Sequence, residues 1–435
     1  MMQCSQAATR RAAATMLLNA RRAKHYKVLT VGGGAGGLAV SSTLSNKLGK
    51  GAVGIIEPSS VHYYQPSWTM VGGGVHQFKD SMRDQASVMP RNADWIQDYA
   101  VAFKPEENKV VTQNGDEFTY DFLVVAAGFQ LDWDKIKGLK DALGKDGVTS
   151  NYSPKSCEKS WEFMQAFKGG NAIFTQPDCP IKCAGAPQKI MYLFEDYITR
   201  QGLRDKTNVT FMQGLPAIFG IKKYADVLTN ICKDRDIDVQ VNSVLKEIKP
   251  ETKEAVFQQG DKTTTVNYDY IHVTPYMSAP DFIKKSSLAN AAGFVDVDQY
   301  TMQHVKYPNI FSLGDCSSVP TSKTAAAVAS ESGVVKQNLL AALEGKPLPA
   351  KYDGYASCPL VTGRGKLVLA EFSGFTGQPL ETFFFDQGKE RWSMYSMKKD
   401  LIPRMYWDQL ITGLWNGPTN VRFLTNPLGW QQFSA

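Results

Sequence analysis

Two of the seven cysteines stand in surroundings that suit thiol chemistry. Cys183 lies in the stretch "QPDCPIKCAGAPQKIMYL", shortly before Pro187, which favours the first turn of a helix. A thiol near a helix N-terminus and beside Lys182 is expected to have a lowered pKa and to exist more as thiolate. Cys358 lies in the stretch "YDGYASCPLVTG". Spacing alone does not show that the two thiols meet, and buried, inert cysteines are the alternative interpretation.

A glycine-rich turn near the start of the chain predicts a dinucleotide site. In "KVLTVGGGAGGLAVSSTLSNKLGKGAVGIIE", Gly32, Gly34 and Gly37 fit the pattern GxGxxG directly after a predicted strand. The glycines allow a tight turn and a close approach of the backbone to a pyrophosphate, and the following helix N-terminus supplies N–H groups. Glu57 ends the second strand, 20 residues after Gly37, where a carboxylate can accept hydrogen bonds from ribose hydroxyls.

A later segment indicates which dinucleotide is bound. The stretch "YPNIFSLGDCSSVPTSKTAAAVASESGVVKQNLL" predicts a strand that ends near Asp315 and an alanine-rich helix after it. An aspartate in this position can bind the ribityl chain of a flavin, and the helix N-terminus can face its electron-rich pyrimidine edge. Together the two segments resemble the flavoprotein superfamily with two dinucleotide-binding domains, which implies FAD. A helix N-cap is the alternative role of Asp315.

A weak internal repeat indicates two similar α/β domains. Segments 108–129 and 253–276 both read as a strand, a Gly-Asp turn, a strand, and then Tyr-Asp before a buried strand. We therefore predict two tandem Rossmann-like domains, the second inserted in the first. The predicted extents are 24–150 and 290–345 for the FAD-binding domain, 151–289 for the second domain with Cys183, and 346–435 for a C-terminal domain with Cys358.

The second predicted domain lacks a glycine-rich nucleotide loop. Its first strand, "NAIFT", runs into "QPDCPIKCAGAP", in which Gly185 is the only glycine. A backbone without such glycines cannot approach a pyrophosphate closely without steric cost, so we predict an electron donor other than a nicotinamide. The closely spaced cysteine pair of glutathione reductases is absent too, because residues 58–156 contain no cysteine.

Composition narrows the partners and the compartment. Hydrophobic residues make up 43% of the chain and charged residues 21%, which is typical of a globular protein. The net charge is +6, and the basic residues form no patch dense enough to bind nucleic acid. The spacing of cysteines and histidines predicts no metal site. The first 23 residues carry four arginines, and no acid precedes Glu57. This pattern is typical of a mitochondrial presequence, with a disordered basic tail as the alternative.

Longer stretches resemble one protein family along nearly the whole chain after the presequence. They are "VGGGAGG", "HYYQPSWTMVGGG", "SNYSPKSCEK", "IKCAGAPQKIMYL", "AIFGIKKYADVL", "HVTPYMSAPD", "PTSKTAAAVA", "YDGYASCPLVTG" and "ERWSMYSMKKDLIPRMYW". Together these stretches are similar to the eukaryotic mitochondrial sulfide:quinone oxidoreductases. Motifs of this number and length make the resemblance specific.

The resemblance implies that Cys183 and Cys358 flank FAD as a redox-active disulfide, or hold an extra sulfur between them. Hydrogen sulfide would attack the Cys358 sulfur, leave a persulfide there and release the Cys183 thiolate. Two electrons would pass through FAD to ubiquinone, and glutathione, sulfite or another sulfide would take the sulfane sulfur. A type II NADH:quinone oxidoreductase is the rival enzyme. A flavoprotein without turnover, serving as an interaction module, is the rival from another class.

The glycine motif, the strand-end aspartate and the same resemblance together predict a set of FAD contacts. They are Gly32, Gly34, Ala35, Gly36, Gly37, Glu57, Gln65, Ala100, Asp315, Lys323, Thr324, Ala325, Ala326 and Lys398. Ala100 is expected at the adenine end, and Lys398 near the pyrimidine edge, where a positive charge would stabilise a reduced anionic flavin. The adjacent Lys399 is the alternative to Lys398. The remaining cysteines are predicted to be structural, including Cys179, which lies four residues before Cys183.

The last part of the chain predicts an amphipathic helix. Its apolar face is expected to contain Leu401, Ile402, Met405, Tyr406, Leu410, Ile411, Leu414 and Trp415. Such a helix suits a protein that lies on a bilayer, although an ordinary packing helix gives the same pattern. The resemblance is to monotopic enzymes of the mitochondrial inner membrane, so we expect that location and a quinone tunnel near residues 401–415. No run reaches the ~18 apolar residues of a membrane-spanning helix.

Overall fold

The computed structural model describes residues 23–425. The predicted presequence, residues 1–23, therefore lies outside the described residues except for Ala23, and so does Cys4. In chain order the strands are β1 (Ala23–Val31), β2 (Val53–Ile56), β3 (Val61–Tyr63), β4 (Met82–Asp84), β5 (Ala93–Ile96), β6 (Ala100–Lys104), β7 (Lys109–Thr112), β8 (Glu117–Val125), β9 (Gln130–Asp132), β10 (Val148–Thr149), β11 (Gly170–Gln176), β12 (Thr207–Gln213), β13 (Asp238–Gln240), β14 (Val244–Lys249), β15 (Glu254–Gln259), β16 (Lys262–Asn267), β17 (Tyr270–His272), β18 (Tyr276–Ser278), β19 (Ile310–Ser312), β20 (Tyr355–Gly363), β21 (Lys366–Ser373) and β22 (Gln378–Pro379).

The helices alternate with these strands over most of the chain. Within the described residues they are α1 (Ala35–Leu48), α2 (Trp68–Gly72), α3 (Gln85–Val88), α4 (Leu139–Ala142), α5 (Cys157–Ala166), α6 (Ala186–Arg200), α7 (Lys222–Asp234), α8 (Asp281–Lys284), α9 (Ala325–Leu343), α10 (Trp392–Ser396), α11 (Ile402–Met405) and α12 (Thr419–Thr425). Two π-helical turns, Met397–Leu401 and Tyr406–Leu410, flank α11.

The first sheet has the strand order β5-β2-β1-β8-β7-β6, and β19 pairs with β8. Its central strands are buried, parallel and rich in β-branched residues. Val31 is in register with both Ile56 and Val125. Ser312, at the end of β19, is in register with Val125. The carboxyl ends of four strands therefore meet at one edge of the sheet, which is where open α/β sheets bind ligands.

The second sheet is parallel throughout, in the order β10-β17-β11-β12-β13, whereas the first has antiparallel pairs at β6, β7 and β8. Strand β11 contains the predicted "NAIFT" segment and leads through the cysteine-containing loop into α6, as the sequence predicted. The antiparallel sheet β14-β15-β16 follows β13 along the chain. The predicted α/β class with two Rossmann-like sheets is thus confirmed, whereas the extents of the three domains stay a prediction.

The hairpin of β20 and β21 brings Cys358 to the second sheet. Cys358 is opposite Ala370 in this antiparallel pair, and β20 packs against both α6 and α9. Because side chains alternate along a strand, Cys358 points towards α6, while Ser357 and Pro359 line a cavity on the other face. The C-terminal segment thereby completes a site that begins in the second sheet.

The predicted C-terminal amphipathic helix is present only in part. Residues 392–410 are helical, but the π-helical turns at Met397–Leu401 and Tyr406–Leu410 make the helix irregular. Much of its apolar face, including Tyr406, Leu410 and Ile411, is buried in the core of the first sheet's domain. Leu401 and Leu414 remain exposed. Sequence periodicity does not distinguish a face that packs on the protein from one that meets a membrane.

Across residues 23–425, no helix combines the length and the apolar character needed to cross a membrane.

Candidate redox site

A cavity of about 760 Å³ opens at the carboxyl edge of the first sheet and extends towards β20 and the C-terminal helices. This volume is in the range of cavities that bind cofactors and other small molecules. The sequence-predicted residues that line it are Gly32, Gly34, Ala35, Gly36, Glu57, Gln65, Cys183, Asp315, Lys323, Thr324, Ala325, Ala326 and Lys398. The fold thus gathers residues from both ends of the chain around one space.

Of the three glycines of the GxGxxG pattern, packing requires two and the third faces open space. Gly32 has a φ of 104°, and a Cβ there would lie 2.3 Å from the carbonyl oxygen of Ala126. A Cβ on Gly37 would lie 1.8 Å from the carbonyl oxygen of Gly32. Gly34 lines the cavity, and a Cβ there would meet no atom within 4 Å. Bare backbone at this point allows a pyrophosphate to approach closely.

Glu57 is held at the end of β2 by two backbone N–H groups. Its Oε2 accepts from Gly33 at 2.8 Å, and its Oε1 accepts from Ser59 at 2.8 Å. Burial raises the pKa of this carboxyl group, and the two hydrogen bonds oppose that shift. Each carboxylate oxygen has a second acceptor site, so Glu57 can still receive hydrogen bonds from a ribose.

Asp315 follows a glycine turn after the end of β19. Gly314 has a φ of 76°, and its N–H donates to Oε2 of the buried Glu331 at 2.7 Å. Burial raises the pKa of Asp315, and the nearby charges of Lys182 and Lys323 oppose that shift. The turn presents a carboxylate at the cavity wall, in the position predicted to bind a flavin ribityl chain.

The two lysines beside Asp315 are held differently. Lys323 donates from Nζ to the carbonyl oxygens of Ser317 at 2.8 Å and Val319 at 3.0 Å, so its ammonium is engaged by its own loop. Lys182 donates to Oε1 of Gln65 at 3.1 Å, and both residues line the cavity. Lys323 directly precedes Thr324, the N-cap of α9, and lines the cavity there.

Cys183 and Cys358 are in direct contact, although 175 residues separate them. Their Sγ atoms lie 3.0 Å apart. Cys183 is in the left-handed region with a φ of 58°, and its N–H donates to the carbonyl oxygen of Lys323 at 2.8 Å. A Cβ on Gly185 would lie 2.4 Å from the Cys358 sulfur. The only glycine of this loop thus leaves room for the second thiol.

The surroundings of the pair make the two thiols unequal. The hydrogen bond from Cys358 and the charge of Lys189, whose Nζ lies 3.4 Å from Sγ, hold the pKa of Cys183 well below its usual value. The hydrogen bond to Cys183 and burial hold the pKa of Cys358 well above its usual value. The pair therefore carries its negative charge on Cys183 and its proton on Cys358.

Lys189 is a functional candidate that sequence reasoning missed. It lies in the first turn of α6, and only 4% of its surface is exposed. A lysine in the first turn interacts unfavourably with the helix dipole. Burying its charge also costs free energy unless a negative partner compensates. An unfavourable lysine at this position was the feature of the sequence that could have revealed the site. The structure shows that its negative partner is Cys183.

The structure separates the two candidate lysines of the C-terminal segment. Lys398 is buried, lines the cavity, and has its Nζ 3.3 Å from both the Tyr64 hydroxyl and the Pro66 carbonyl oxygen. Burial lowers its pKa to about 7, and repulsion from Lys189 adds to the shift. Lys399 is partly exposed and pairs with Asp400 at 3.1 Å. Lys398 is the one that can reach a cofactor in the cavity.

Two predicted FAD contacts lie outside the cavity lining. Gly37 packs beneath the turn, against Gly32, so its contribution is to the turn itself. Ala100 is buried at the start of β6 and pairs with Thr112. Its expected contact with the adenine end stays a prediction.

The other described cysteines are isolated from the pair. Cys157, Cys232 and Cys316 are buried, and Cys179 is partly buried. Burial raises the pKa of each of these four thiols. The cations near two of them, Lys135 at Cys179 and Arg235 at Cys232, do not reverse the effect of burial, so these thiols are not favoured as thiolates.

Comparison with known proteins identifies the family. The family model described as pyridine nucleotide-disulphide oxidoreductase matches residues 26–160 and 197–333. The mitochondrial sulfide:quinone oxidoreductase of Mus musculus is 49% identical over 92% of this chain and 89% of its own length. This chain belongs to the sulfide:quinone oxidoreductase family. As a member it is a flavin-dependent oxidoreductase.

Solved structures show the same fold at lower identity. The sulfide:quinone oxidoreductase of Aquifex aeolicus matches with a TM-score of 0.75 and 21% identity, over 91% of this chain and 93% of that chain. NDH2 of Plasmodium falciparum matches with a TM-score of 0.64 and 12% identity, over 92% and 99%. The type II NADH:quinone alternative therefore shares only the architecture, whereas the sulfide:quinone oxidoreductase family is also shown by sequence.

Proposed function

We propose that this protein binds FAD and uses Cys183 and Cys358 to oxidise hydrogen sulfide, passing two electrons to ubiquinone. The observation that carries this proposal is the thiol pair beside the cavity, with Sγ atoms 3.0 Å apart and Lys189 against one of them. In a disulfide of these two sulfurs, the cation beside Cys183 would make Cys183 the better leaving group, so sulfide would attack the Cys358 sulfur.

The residues of the cavity fit FAD. Gly34 offers bare backbone for a pyrophosphate, Glu57 has free acceptor sites for a ribose, and Asp315 presents a carboxylate for a ribityl chain. Thr324 caps α9 by accepting from the Ala327 N–H at 3.1 Å, so the first turn of that helix points N–H groups at the cavity. FAD would supply a two-electron acceptor between the thiols and the quinone.

The thiol pair would begin the reaction as a disulfide. The hydrosulfide ion attacks the Cys358 sulfur, a new S–S bond forms there, and the bond to Cys183 breaks. Cys183 leaves as a thiolate that Lys189 stabilises, and Cys358 holds the persulfide. A nucleophilic acceptor such as glutathione, sulfite or another sulfide then removes the outer sulfur. Re-forming the Cys183–Cys358 bond releases two electrons, which leave for the quinone.

The end of the cavity next to the C-terminal helices suits a quinone. Its wall includes the apolar side chains of Met397, Leu401, Ile402, Met405, Leu410 and Trp415. An isoprenoid tail can bind there by burial of apolar surface alone. Lys398 is the buried cation at this end and can stabilise negative charge that develops on reduction.

The surface around this end favours a membrane. Six of the exposed large apolar side chains fall between residues 384 and 424, namely Phe384, Trp392, Leu401, Leu414, Phe423 and Leu424. Exposed aromatic and leucine side chains of this kind anchor proteins at a bilayer surface. Together with relatives named as mitochondrial, this supports monotopic binding to the mitochondrial inner membrane.

Vesicle binding checks the membrane proposal. The double variant Phe384→Ser/Leu424→Ser is expected to co-sediment with phospholipid vesicles several-fold less than the unaltered protein, because two apolar anchors are lost. Tyr99→Ser is the matched control, since Tyr99 is 59% exposed but lies far along the chain from this patch. Equal sedimentation of the double variant and the unaltered protein would contradict the proposal.

The visible flavin spectrum tests the proposed function directly. Purified protein is mixed anaerobically with sulfide and, separately, with NADH. We expect sulfide to bleach the flavin band and NADH to leave it unchanged, because the loop after β11 lacks the glycines of a nucleotide site. Bleaching by NADH alone would mean that the second sheet binds a nicotinamide, and the proposed donor would be wrong.

A further inference from the structure

Two polar residues of the cavity wall lie in π-helical turns. Lys398 lies in the turn Met397–Leu401, and Tyr406 begins the turn Tyr406–Leu410. Turns of this kind are rare in proteins, and those that occur are often located at functional sites. The proposed function gives a role to Lys398 but none to Tyr406.

Tyr406 belongs to a chain of buried polar groups. Its hydroxyl oxygen lies 2.6 Å from Nε2 of His62, and both residues line the cavity with 4% of their surface exposed. The ring centroids of Tyr406 and Tyr64 are 4.5 Å apart, and the Tyr64 hydroxyl lies 3.3 Å from Nζ of Lys398. Two hydrogen-bonded pairs, His62 with Tyr406 and Lys398 with Tyr64, therefore lie side by side along one wall and are joined by the contact of the two tyrosine rings.

Tyr406 and His62 are both uncharged under physiological conditions. Burial lowers the pKa of His62 to about 4, although its hydrogen bond with Gln85 opposes the shift. Burial also holds the pKa of Tyr406 well above its usual value. A neutral imidazole with a neutral phenol can pass a proton along without storing charge in the protein interior.

We propose that Tyr406 and His62 form a proton relay to the quinone. This inference rests on the proposed function, in which a quinone takes up two electrons and two protons to become a quinol. The Tyr406 O–H bond breaks as a quinone O–H bond forms, and the Nε2 proton of His62 moves to the Tyr406 oxygen. His62 lies beside Gln85 and Gly33 in the cavity wall, and it regains a proton from solvent that enters the cavity there. The ammonium of Lys398 supplies the second proton.

The position of the pair in the cavity supports this role. Tyr406 lines the cavity together with Met405 and Leu410, so it belongs to the wall proposed for the quinone. Tyr406 is then the catalytic residue, and His62 acts through it. A relay is needed at this place because the apolar wall keeps bulk water from the quinone oxygens.

The oxidative half-reaction tests the relay by itself. Flavin in the purified protein is reduced with dithionite and mixed anaerobically with decylubiquinone, and the return of the flavin band is followed. Tyr406→Phe keeps the ring but removes the hydroxyl, so the limiting rate is expected to fall about 10- to 100-fold. Quinone binding, followed by tryptophan fluorescence, is expected to be unchanged.

Two further variants separate a relay from a structural role. His62→Gln can keep a hydrogen bond to Tyr406 but has no proton to pass on, so the same loss of limiting rate is expected. Tyr268→Phe is the control, because Tyr268 has a buried hydroxyl outside the cavity. A normal limiting rate in Tyr406→Phe or in His62→Gln would overturn the relay, and so would a change in quinone affinity alone. Dithionite replaces sulfide here, so failure of the proposed sulfide chemistry would leave this test intact.

Discussion

Alanine in place of either Cys183 or Cys358 is expected to lower sulfide-dependent quinone reduction by about 10³-fold or more. Without Cys358 the sulfide has no sulfur to attack, and without Cys183 the leaving thiolate is lost. Bound flavin should be retained. Cys358 lies outside the cavity lining, and the contact that holds the Cys183 loop is made by its backbone N–H to Lys323. The measurement is steady-state quinone reduction, with flavin content determined on the same samples.

Cys179→Ala provides the matched control for both variants. Cys179 belongs to the same loop and is partly buried, but it contacts neither Cys183 nor Lys189 through a hydrogen bond in the described structure. We expect Cys179→Ala to keep nearly full activity. Full activity in Cys358→Ala would show that the pair is not the redox centre, and loss of flavin from it would show that its role is structural.

Replacing Lys189 with methionine is expected to have the second largest effect. Lys189 is the cation beside the Cys183 sulfur, and removing its charge leaves that thiolate buried without a positive partner. The pKa of Cys183 should therefore rise, and flavin reduction by sulfide at neutral pH should slow by about 10- to 100-fold. Methionine is similar in length to the lysine stem and apolar, so the packing of α6 is largely preserved.

The effect of Lys189 on the pKa of Cys183 predicts in which direction the pH profile of activity moves when the lysine is replaced. The thiolate of Cys183 is present above its pKa and is lost as the pH falls through it, so activity falls on the acid side. In the unaltered protein the pKa is lowered, which places that fall at low pH. In Lys189→Met the fall should move to higher pH, whereas Lys189→Arg, which keeps the charge, should lie close to the unaltered protein. Superimposable pH profiles for the methionine and unaltered proteins would contradict the role of Lys189.

The nucleotide half of the site was predictable because its signals are local. Gly32 and Gly37 are required by atoms of the same turn or of the residue after the neighbouring strand, and Glu57 directly follows the next strand of the same βαβ unit. Strand register then forces these residues to one edge of the sheet. A motif of this kind carries its own geometry within about 30 residues, so its place in the fold follows from the sequence.

The second sheet's missing glycine loop was equally clear from the sequence, since an absent residue type needs no fold to be recognised. The choice of Cys183 and Cys358 was different. Residue types and spacing allowed each of the two cysteines to be either reactive or inert. Only the family resemblance indicated that they form a pair. Their contact depends on β20 packing against α6, a long-range arrangement that no local pattern contains.

The sequence alone therefore determined the α/β class, the glycine loop and the absence of a second one, because backbone sterics and strand periodicity act over short distances. Tertiary structure decided the rest. It placed Lys189 against Cys183, chose Lys398 over Lys399, joined Tyr406 to His62, and buried much of the C-terminal apolar face. Each of these outcomes depends on which distant surface a side chain meets, and that is set by packing of the whole chain.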